Sequence, residues 1–315
     1  GMKSIIVPTT VSYNGEYTVD AIGIGAIAFV GIDYLELPAS IKDIRTDAFI
    51  ATIHRAVSYM ANPPKFDERT VADTLFVPIG SKDKYLENWV FEENSVIYEG
   101  ELRETVVDNL KYWCATGENF AHVIRGDYAN MEDVVIPSTV DIDGKSYTVT
   151  VIENHAFANY SIHSVTFPQT IDSIGRSAFE MTGLESLTLP SSLKSLGSRA
   201  FAFCQELKTI DLPEGLETLM DQAFNGCISL EELELPSTLT CIESSAFSLL
   251  HSLKKITSHI VNPFPINEYT FTMRTEDGGY KWMESTILYV PIGSLEKYQA
   301  TDGWKNFANI FEGEL

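Results

Sequence analysis

The most regular hydrophobic pattern of the chain lies in residues 184–201, which read LESLTLPSSLKSLGSRAF. Leu187 and Leu189 are two residues apart, which predicts a short strand with alternate side chains buried. Pro190 has no N–H for a strand ladder and should end that strand. Two further leucines indicate a second short extended piece after a turn. Because such a unit cannot cover its own apolar face, it needs a similar neighbour on each side.

Two sequence markers recur along the chain with one period. The first is an Ala-Phe pair, whose phenylalanines are 22 or 23 residues apart. The second is a proline after a short apolar strand, which keeps the same spacing. A period of this size falls in the range of leucine-rich repeats. The markers are Phe157, Phe179, Phe201, Phe224 and Phe247, and Pro168, Pro190, Pro213 and Pro236.

The chain also contains two copies of a starting segment and two copies of an ending segment. Residues 5–19 and residues 134–149 each have an apolar strand and a proline, then an Asn-Gly or Asp-Gly pair between alternating runs. Such a pair predicts a hairpin with a two-residue turn. Residues 74–81 and 286–294 both end in the letters VPIGS, and a tyrosine and a tryptophan follow each.

These duplications predict two repeat arrays in tandem. A short N-terminal array should occupy residues 1–95, with Ala-Phe positions at Ala28-Phe29 and Ala48-Phe49, and a longer array should occupy residues 96–315. The longer array begins with residues 110–124, which predict a β-hairpin turning at Thr116-Gly117. We interpret this hairpin as a cap against edge-to-edge growth. The first array has no counterpart, so we expect its start to be truncated.

Composition and charge narrow the classes of partner. The 315 residues are 44% hydrophobic, which is typical of a folded chain of one or two domains. No apolar run is long enough to cross a bilayer, so we expect no membrane insertion. The net charge of −22 provides no basic patch for phosphates, which argues against nucleic acid and against anionic membranes as partners. Solubility is the simplest role of the acidic excess.

The motif LxxLxLPxxLxxIGxxAFxxCxxL, seen in residues 184–207, resembles the BspA-like leucine-rich repeat family of bacterial surface and secreted proteins. The resemblance covers nearly the whole chain. It implies a β-rich solenoid of leucine-rich repeats with short parallel strands and irregular or short helical connections. It also implies adhesion, at the cell surface or after secretion, although no export signal is visible. Met220 and Glu243 replace the usual glycine in two repeats, which should make those turns less regular.

The strand period also predicts which residues face outward. If Leu187 and Leu189 point into the core, the residues between and before them point out. The same register in the other repeats gives two outward columns, and solenoids commonly bind through such a face. The columns are Thr166, Thr188, Asp211, Glu234 and Thr257, and Ser164, Ser186, Thr209, Glu232 and Lys255.

We therefore expect a non-enzymatic module that binds a protein or glycan of a host or a neighbouring cell. The acidic residues of the later repeats would suit a basic partner or a divalent cation, whereas a polar outer face without a ligand is the simpler interpretation. The alternative is an enzyme or accessory module that acts on an extracellular polymer through acidic residues near the boundary between the arrays. The sequence leaves the oligomeric state open.

No catalytic or metal-binding pattern supports the enzyme alternative. The six histidines lack HExxH and other metal spacings, so we predict no metal site, no cofactor and no catalytic residue. Gly23-Ile24-Gly25 lacks the third glycine of a dinucleotide loop. Cys204 and Cys227 are 23 residues apart and should stack as buried thiols, with a disulfide between them as the less favoured alternative, while Cys114 and Cys241 have no visible partner.

Overall fold

The computed structural model describes residues 4–27, 31–49, 53–70, 72–91, 95–275 and 277–313. The predicted pair Ala28-Phe29 lies outside the described residues. The chain divides into two compact units, which we call unit 1 (Gly1–Glu104 and Trp113–Phe120) and unit 2 (Thr105–Tyr112 and Ala121–Leu315). The boundaries of the two predicted arrays stay a prediction.

Unit 1 is built mainly from short parallel strands. The elements are β1 (Ser4–Ile6), β2 (Thr10–Ser12), β3 (Glu16–Thr18), β4 (Ala21–Ile22), β5 (Ile32–Leu37), β6 (Asp43–Ile44), β7 (Ile53–Ser58), β8 (Phe66–Thr70), β9 (Ala72–Val77), α1 (Lys82–Asn88), β10 (Trp89–Phe91) and β11 (Val96–Glu99). The largest sheet has the strand order β1-β5-β7-β9-β11, in which every pair is parallel.

The core of unit 1 lies against one face of this sheet. Leu35, Ala56, Leu75 and Ile97 occupy one row of the register and are buried in one apolar cluster. The cluster also contains Phe49, from the second predicted Ala-Phe position, which packs edge-on to another phenylalanine at 5.5 Å. Alternate residues of the same strands point to the opposite face of the sheet.

Three strands follow: β12 (Leu102–Val107), β13 (Leu110–Ala115) and β14 (Phe120–Val123). The hairpin predicted for residues 110–124 corresponds to β13 and β14, and the N–H of Glu118 donates to the carbonyl of Ala115 (3.0 Å) across the predicted turn. Strand β12 was not predicted from the sequence. It joins β13 through Asp108-Asn109, whose φ angles of 48° and 65° suit a tight hairpin turn. The role of this segment as a cap stays a prediction.

Unit 2 continues with more regular coils. Its elements are β15 (Asp133–Val135), β16 (Thr139–Ile142), β17 (Lys145–Ile152), β18 (Ser164–Thr166), β19 (Ser173–Ile174), β20 (Ser186–Thr188), β21 (Ser195–Leu196), β22 (Thr209–Asp211), β23 (Thr218–Leu219), β24 (Glu232–Leu235), β25 (Cys241–Ile242), β26 (Lys255–Ser258), β27 (Thr272–Arg274), β28 (Tyr280–Trp282), β29 (Ile287–Pro291), α2 (Leu295–Ala300), a short 3₁₀ helix (Trp304–Asn306) and β30 (Asn309–Gly313). The predicted β-rich solenoid with little helix is confirmed.

Each regular coil of unit 2 has three sides, of which the second and third hydrogen-bond from every coil to the next. The strand side carries β18, β20, β22, β24 and β26. A second side is the parallel ladder β17-β19-β21-β23-β25. This ladder keeps its register past Met220 and Glu243, so the expected irregularity does not reach the strands. The third side is the Ala-Phe segment, where the N–H of Phe201 donates to the carbonyl of Ala223 (2.9 Å).

The phenylalanines of the third side form a stacked ladder inside unit 2. Successive rings are nearly parallel, with centroids 4.9 to 5.7 Å apart, and the predicted neighbours Phe179 and Phe224 flank Phe201. Phe271 adds a sixth ring that the sequence analysis missed, because a threonine replaces the alanine of the marker there. All six side chains are fully buried.

Two of the cysteines lie in the core of unit 2. The thiols of Cys204 and Cys227 are buried and unbridged, and each donates to the carbonyl of the phenylalanine one coil earlier (3.2 Å). Burial raises the pKa of the Cys204 thiol to about 11.

Asp143-Gly144 forms the predicted two-residue turn. The prediction of such a turn at Asn14-Gly15 is wrong, because Ser12 pairs with Glu16 and leaves a three-residue loop, in which Asn14 has a φ of 52°.

The two predicted ending segments have the same internal contacts. In unit 1 the hydroxyl of Tyr85 donates to a main-chain carbonyl (3.0 Å) and lies 2.5 Å from that of Ser58. In unit 2 the hydroxyl of Tyr298 does the same at 2.9 Å and lies 2.6 Å from that of Ser258. An Asn-Pro pair precedes each segment, at residues 62–63 and 262–263. In both, the indole N–H of the following tryptophan donates to the carbonyl of the residue after this pair. The second copy contains β29, which continues the strand side of unit 2.

Candidate binding face on the strand side of unit 2

The ten predicted outward residues all lie on the strand side of unit 2. The register pairs Ser186 with Thr209 and Thr188 with Asp211, as the columns require. It also pairs Glu232 with Lys255 and Glu234 with Thr257. Eight of the ten are exposed, and Lys255 and Thr257 are half-buried. Leu187 and Leu189, between and after the outward residues, are buried at 2% and 4% exposure.

The columns are interrupted between some coils. The strand side consists of three hydrogen-bonded pieces: β15 with β18, β20 with β22, and β24 with β26, β29 and β30. Ser164 therefore pairs with Asp133, to which its hydroxyl donates (2.5 Å). Two interruptions, after β18 and after β22, separate the pieces.

A shallow groove of about 490 Å³ lies at the interruption between β22 and β24. Five predicted residues line it, and their side chains provide hydroxyls, carboxylates and one ammonium: Thr209, Glu232, Glu234, Lys255 and Thr257. Lys208, Glu231 and the apolar Ile210 and Leu233 complete the lining. A volume of this size, polar with an apolar floor, suits a few sugar rings or amino-acid side chains. The other five predicted residues lie outside the groove.

Ion pairs between coils organise the charges of this face. The ammonium of Lys208 lies 3.3 Å from Glu185, and that of Lys254 lies 2.7 Å from Glu231. The ammonium of Lys255 lies 3.7 Å from the Glu232 carboxylate. Exposed pairs of this kind contribute little stability and exchange readily with water or ligand. They position the charges along the face.

Acidic residues of the face lie both in the groove and beside it. Glu234 lies 2.6 Å from the imidazole Nε2 of His259, and both groups border the solvent. Asp211 is exposed and makes no ion pair with the described residues. The Asp211 carboxylate therefore remains available to a basic ligand.

Four further residues of this face were not predicted from the sequence. Lys208 and Glu231 come directly before their strands, where Glu185, Lys208, Glu231 and Lys254 alternate in charge every 23 residues. This alternation of charge with a fixed period is the sequence signal that predicts Lys208 and Glu231 on the face. Tyr289 and Phe311 continue the outer column beyond Thr257, because β29 and β30 extend the same sheet. No repeat marker covers these two strands, so only the pairing reveals the aromatic residues.

Within the described part of the chain, no group of three or more His, Cys, Asp or Glu side chains could hold a metal ion. No described helix has the length and hydrophobicity to cross a membrane.

Comparison with known proteins connects this face to a family. The family model of the BspA type leucine rich repeat region matches residues 150–276 in six copies. Residues 150–276 form a BspA-type leucine-rich repeat region. The BspA-type region contains the phenylalanine ladder and all ten outward residues, so the predicted family is confirmed for residues 150–276, which carry the ten candidate residues.

Solved structures of bacterial leucine-rich repeat proteins are similar to this chain. A leucine-rich repeat protein from Bacteroides capillosus is 25% identical, covering 50% of this chain and 98% of that chain, with a TM-score of 0.34. The leucine rich repeat protein of T. pallidum is 21% identical, covering 67% and 83%, with a TM-score of 0.45. A leucine rich cell surface protein from Faecalibacterium prausnitzii is 17% identical, covering 100% and 89%, with a TM-score of 0.29. No curated protein matches the chain.

Proposed function

We propose that the strand side of the BspA-type region is a non-enzymatic binding face for a protein or glycan of a host or neighbouring cell. The observation that carries the proposal is the groove between β22 and β24, in which hydroxyl, carboxylate and ammonium groups surround an apolar floor. Main-chain ladders fix the flanking strands, so these side chains are presented on a rigid base.

We further propose that the protein acts at the cell surface or after secretion. The family resemblance supports this location. The proposed ligand supports it too, because a molecule of another cell is met outside the cell. Binding without catalysis is consistent with the form of the groove, which is shallow and open and therefore leaves a bound group in contact with water. Enzymes usually exclude water around the reacting atoms.

A binding screen against matrix proteins and glycans tests the proposal. Thr188→Arg and Glu234→Arg place a long cation on exposed outward positions of two different coils. We expect each variant to weaken binding of the selected ligand by at least about tenfold, because bulk and charge would both be wrong at the contact.

Glu268→Arg is the matched control. Glu268 is exposed and belongs to the segment that leads into Phe271, on the third side of the coil. The Glu268→Arg substitution makes the same change of charge as Glu234→Arg, and the Glu268→Arg protein should bind the ligand like the unaltered protein. Equal affinities of all the variants would refute the strand side as the binding face.

A further inference from the structure

A cavity of about 510 Å³ opens on the face of the unit 1 sheet that lies opposite its core. Strands β5 and β7 form its floor and β12 forms a wall, and the lining residues are Asp33, Tyr34, Arg55, Leu102 and Glu104. Both floor strands lie inside the sheet, between β1 and β9, so described strands flank the cavity on either side. Its volume is typical of sites for small ligands.

The guanidinium of Arg55 is held in a fixed position in this cavity. It lies 2.5 Å from the carboxylate of Glu104 and 5.9 Å from the centre of the Trp113 ring. Trp113 is only 1% exposed and packs on Phe76 at 5.0 Å, so the support of the guanidinium is itself rigid. Arginine has five N–H donors, of which the described residues use one, toward Glu104. The others can donate to a ligand.

Tyr34 places an aromatic ring beside this cation. It pairs with Arg55 across β5 and β7, and its hydroxyl donates to the carboxylate of Glu36 at 3.1 Å. Burial and the charge of Glu36 raise the pKa of the Tyr34 phenol, so the hydroxyl keeps its proton and this hydrogen bond orients the ring. The ring is half-buried, and within the described part of the chain no other ring or cation packs on it. It can therefore take the flat side of a ligand.

Asp33 adds a hydrogen-bond acceptor to the cavity. Its carboxylate is exposed and makes no ion pair with the described residues. Two carboxylates and one guanidinium leave the lining with a net negative charge, and the whole chain carries −22, which disfavours an anionic ligand. A basic side chain is disfavoured too, because it would bring a second cation beside Arg55. The charges therefore favour a neutral ligand that both donates and accepts hydrogen bonds.

The cavity lies at the same position of the repeat as the groove of unit 2. Arg55 and Lys255 are each three residues before the serine that contacts the tyrosine of the ending segment. Their partners on the preceding strands are Tyr34 and Glu232. Both openings thus have a cation on the later strand, and they differ on the earlier one, where unit 1 has an aromatic ring and unit 2 a carboxylate.

We infer that Asp33, Tyr34 and Arg55 form a binding site in unit 1 for a neutral sugar. One side of a sugar ring carries C–H groups that pack on an aromatic ring, and neighbouring sugar hydroxyls both donate and accept hydrogen bonds. Tyr34 stacks on the ring, Asp33 accepts from one hydroxyl, and Arg55 donates to the next. The site is independent of the binding face proposed above, because the two lie in different units.

Saturation-transfer NMR of the full chain with four neutral disaccharides tests this site. The probes are maltose, cellobiose, lactose and diacetylchitobiose. We expect at least one of them to bind with a Kd of about 1 mM or below, with the strongest transfer to the ring C–H protons that pack on Tyr34. Digalacturonate and tetralysine are the charged probes. Each should bind at least about tenfold more weakly than the best disaccharide, because the cavity contains charges of both signs.

Variants of the lining residues identify the contacts. Tyr34→Ala should weaken disaccharide binding about tenfold, whereas Tyr34→Phe keeps the ring and should bind within about twofold of the unaltered protein. Asp33→Asn should weaken binding about fivefold, because a neutral acceptor replaces a charged one, and its exposed position preserves the fold. Tyr13→Ala is the matched control. Tyr13 is 78% exposed in the loop between β2 and β3 and should leave the affinity unchanged.

Four outcomes would overturn the sugar site. The first is that none of the four disaccharides binds, and the second is binding that neither Tyr34→Ala nor Asp33→Asn weakens. The third is tetralysine binding that Asp33→Asn abolishes without any disaccharide binding, which would identify a cation site. The fourth is a disaccharide that is lost on Glu234→Arg and kept on Tyr34→Ala, since the sugar would then bind unit 2 and the proposed function would stand.

Failure of the proposed function is recognised separately. A ligand from the screen that ignores both Thr188→Arg and Glu234→Arg refutes the strand side of unit 2 as its binding face. Disaccharide binding that responds to Tyr34→Ala and Asp33→Asn keeps the sugar site in that case.

Discussion

At the scale of residues, two kinds of position build the coil. Leucines of the strands were readable from their spacing, as the burial of Leu187 and Leu189 shows. The backbone conformation of the residue before the Ala-Phe alanine could not be predicted. In unit 2 this residue has a left-handed backbone with φ between 52° and 59°, yet the set includes Arg199 and Gln222, which carry no signal for that conformation. The surrounding ladder imposes it.

Phe201 is the residue on which the ladder can be tested. It is fully buried between rings at 5.1 and 5.5 Å, so replacing it with alanine leaves a cavity and removes two stacking contacts. We expect Phe201→Ala to lower the free energy of unfolding by about 3–5 kcal/mol. Thermal and urea unfolding measure this loss.

Phe311→Ala is the control for the same change of side chain, since Phe311 is half exposed and should cost much less. An unchanged unfolding midpoint in Phe201→Ala would mean that the ladder does not support unit 2.

At the scale of elements, each ending segment has a helix whose N-terminus is capped by a carboxylate of the next strand, which the sequence did not reveal. Helix α2 has no side-chain cap of its own at Ser294. Instead, the carboxylate of Glu312 in β30 accepts the N–H groups of Gly293 and Leu295, both at 2.8 Å. Glu99 in β11 does the same for helix α1 at 3.0 Å. The duplicated VPIGS letters predicted the two segments, whereas the carboxylate comes from the next strand and lies beyond the matched letters.

We expect Glu312→Ala to destabilise helix α2 locally by about 1 kcal/mol, as the loss of an N-cap does. Amide hydrogen exchange of residues 295–300 should become about fivefold faster. Glu99→Ala is the reciprocal control, because it should accelerate exchange in helix α1 and leave α2 unchanged. Equal exchange in α2 before and after Glu312→Ala would exclude the capping role.

At the scale of the whole molecule, the repeat period predicted a solenoid and placed ten outward residues on one side of it. The period did not reveal the interruptions between β18 and β20 and between β22 and β24, because strand pairing depends on main-chain geometry. It also did not reveal Tyr289 and Phe311, which follow the last Ala-Phe marker. Sequence reasoning therefore found the face, and the structure located the groove and the aromatic end on it.

The most direct test of the central claim is carbodiimide labelling of carboxylates, read by mass spectrometry, with and without a ligand selected in the binding screen. If the strand side of unit 2 is the binding face, the ligand should reduce the labelling of Asp211, Glu232 and Glu234 and leave that of Glu268 and Glu296 unchanged. Protection confined to Glu268 or Glu296, with the strand-side carboxylates labelled as in the free protein, would contradict the account.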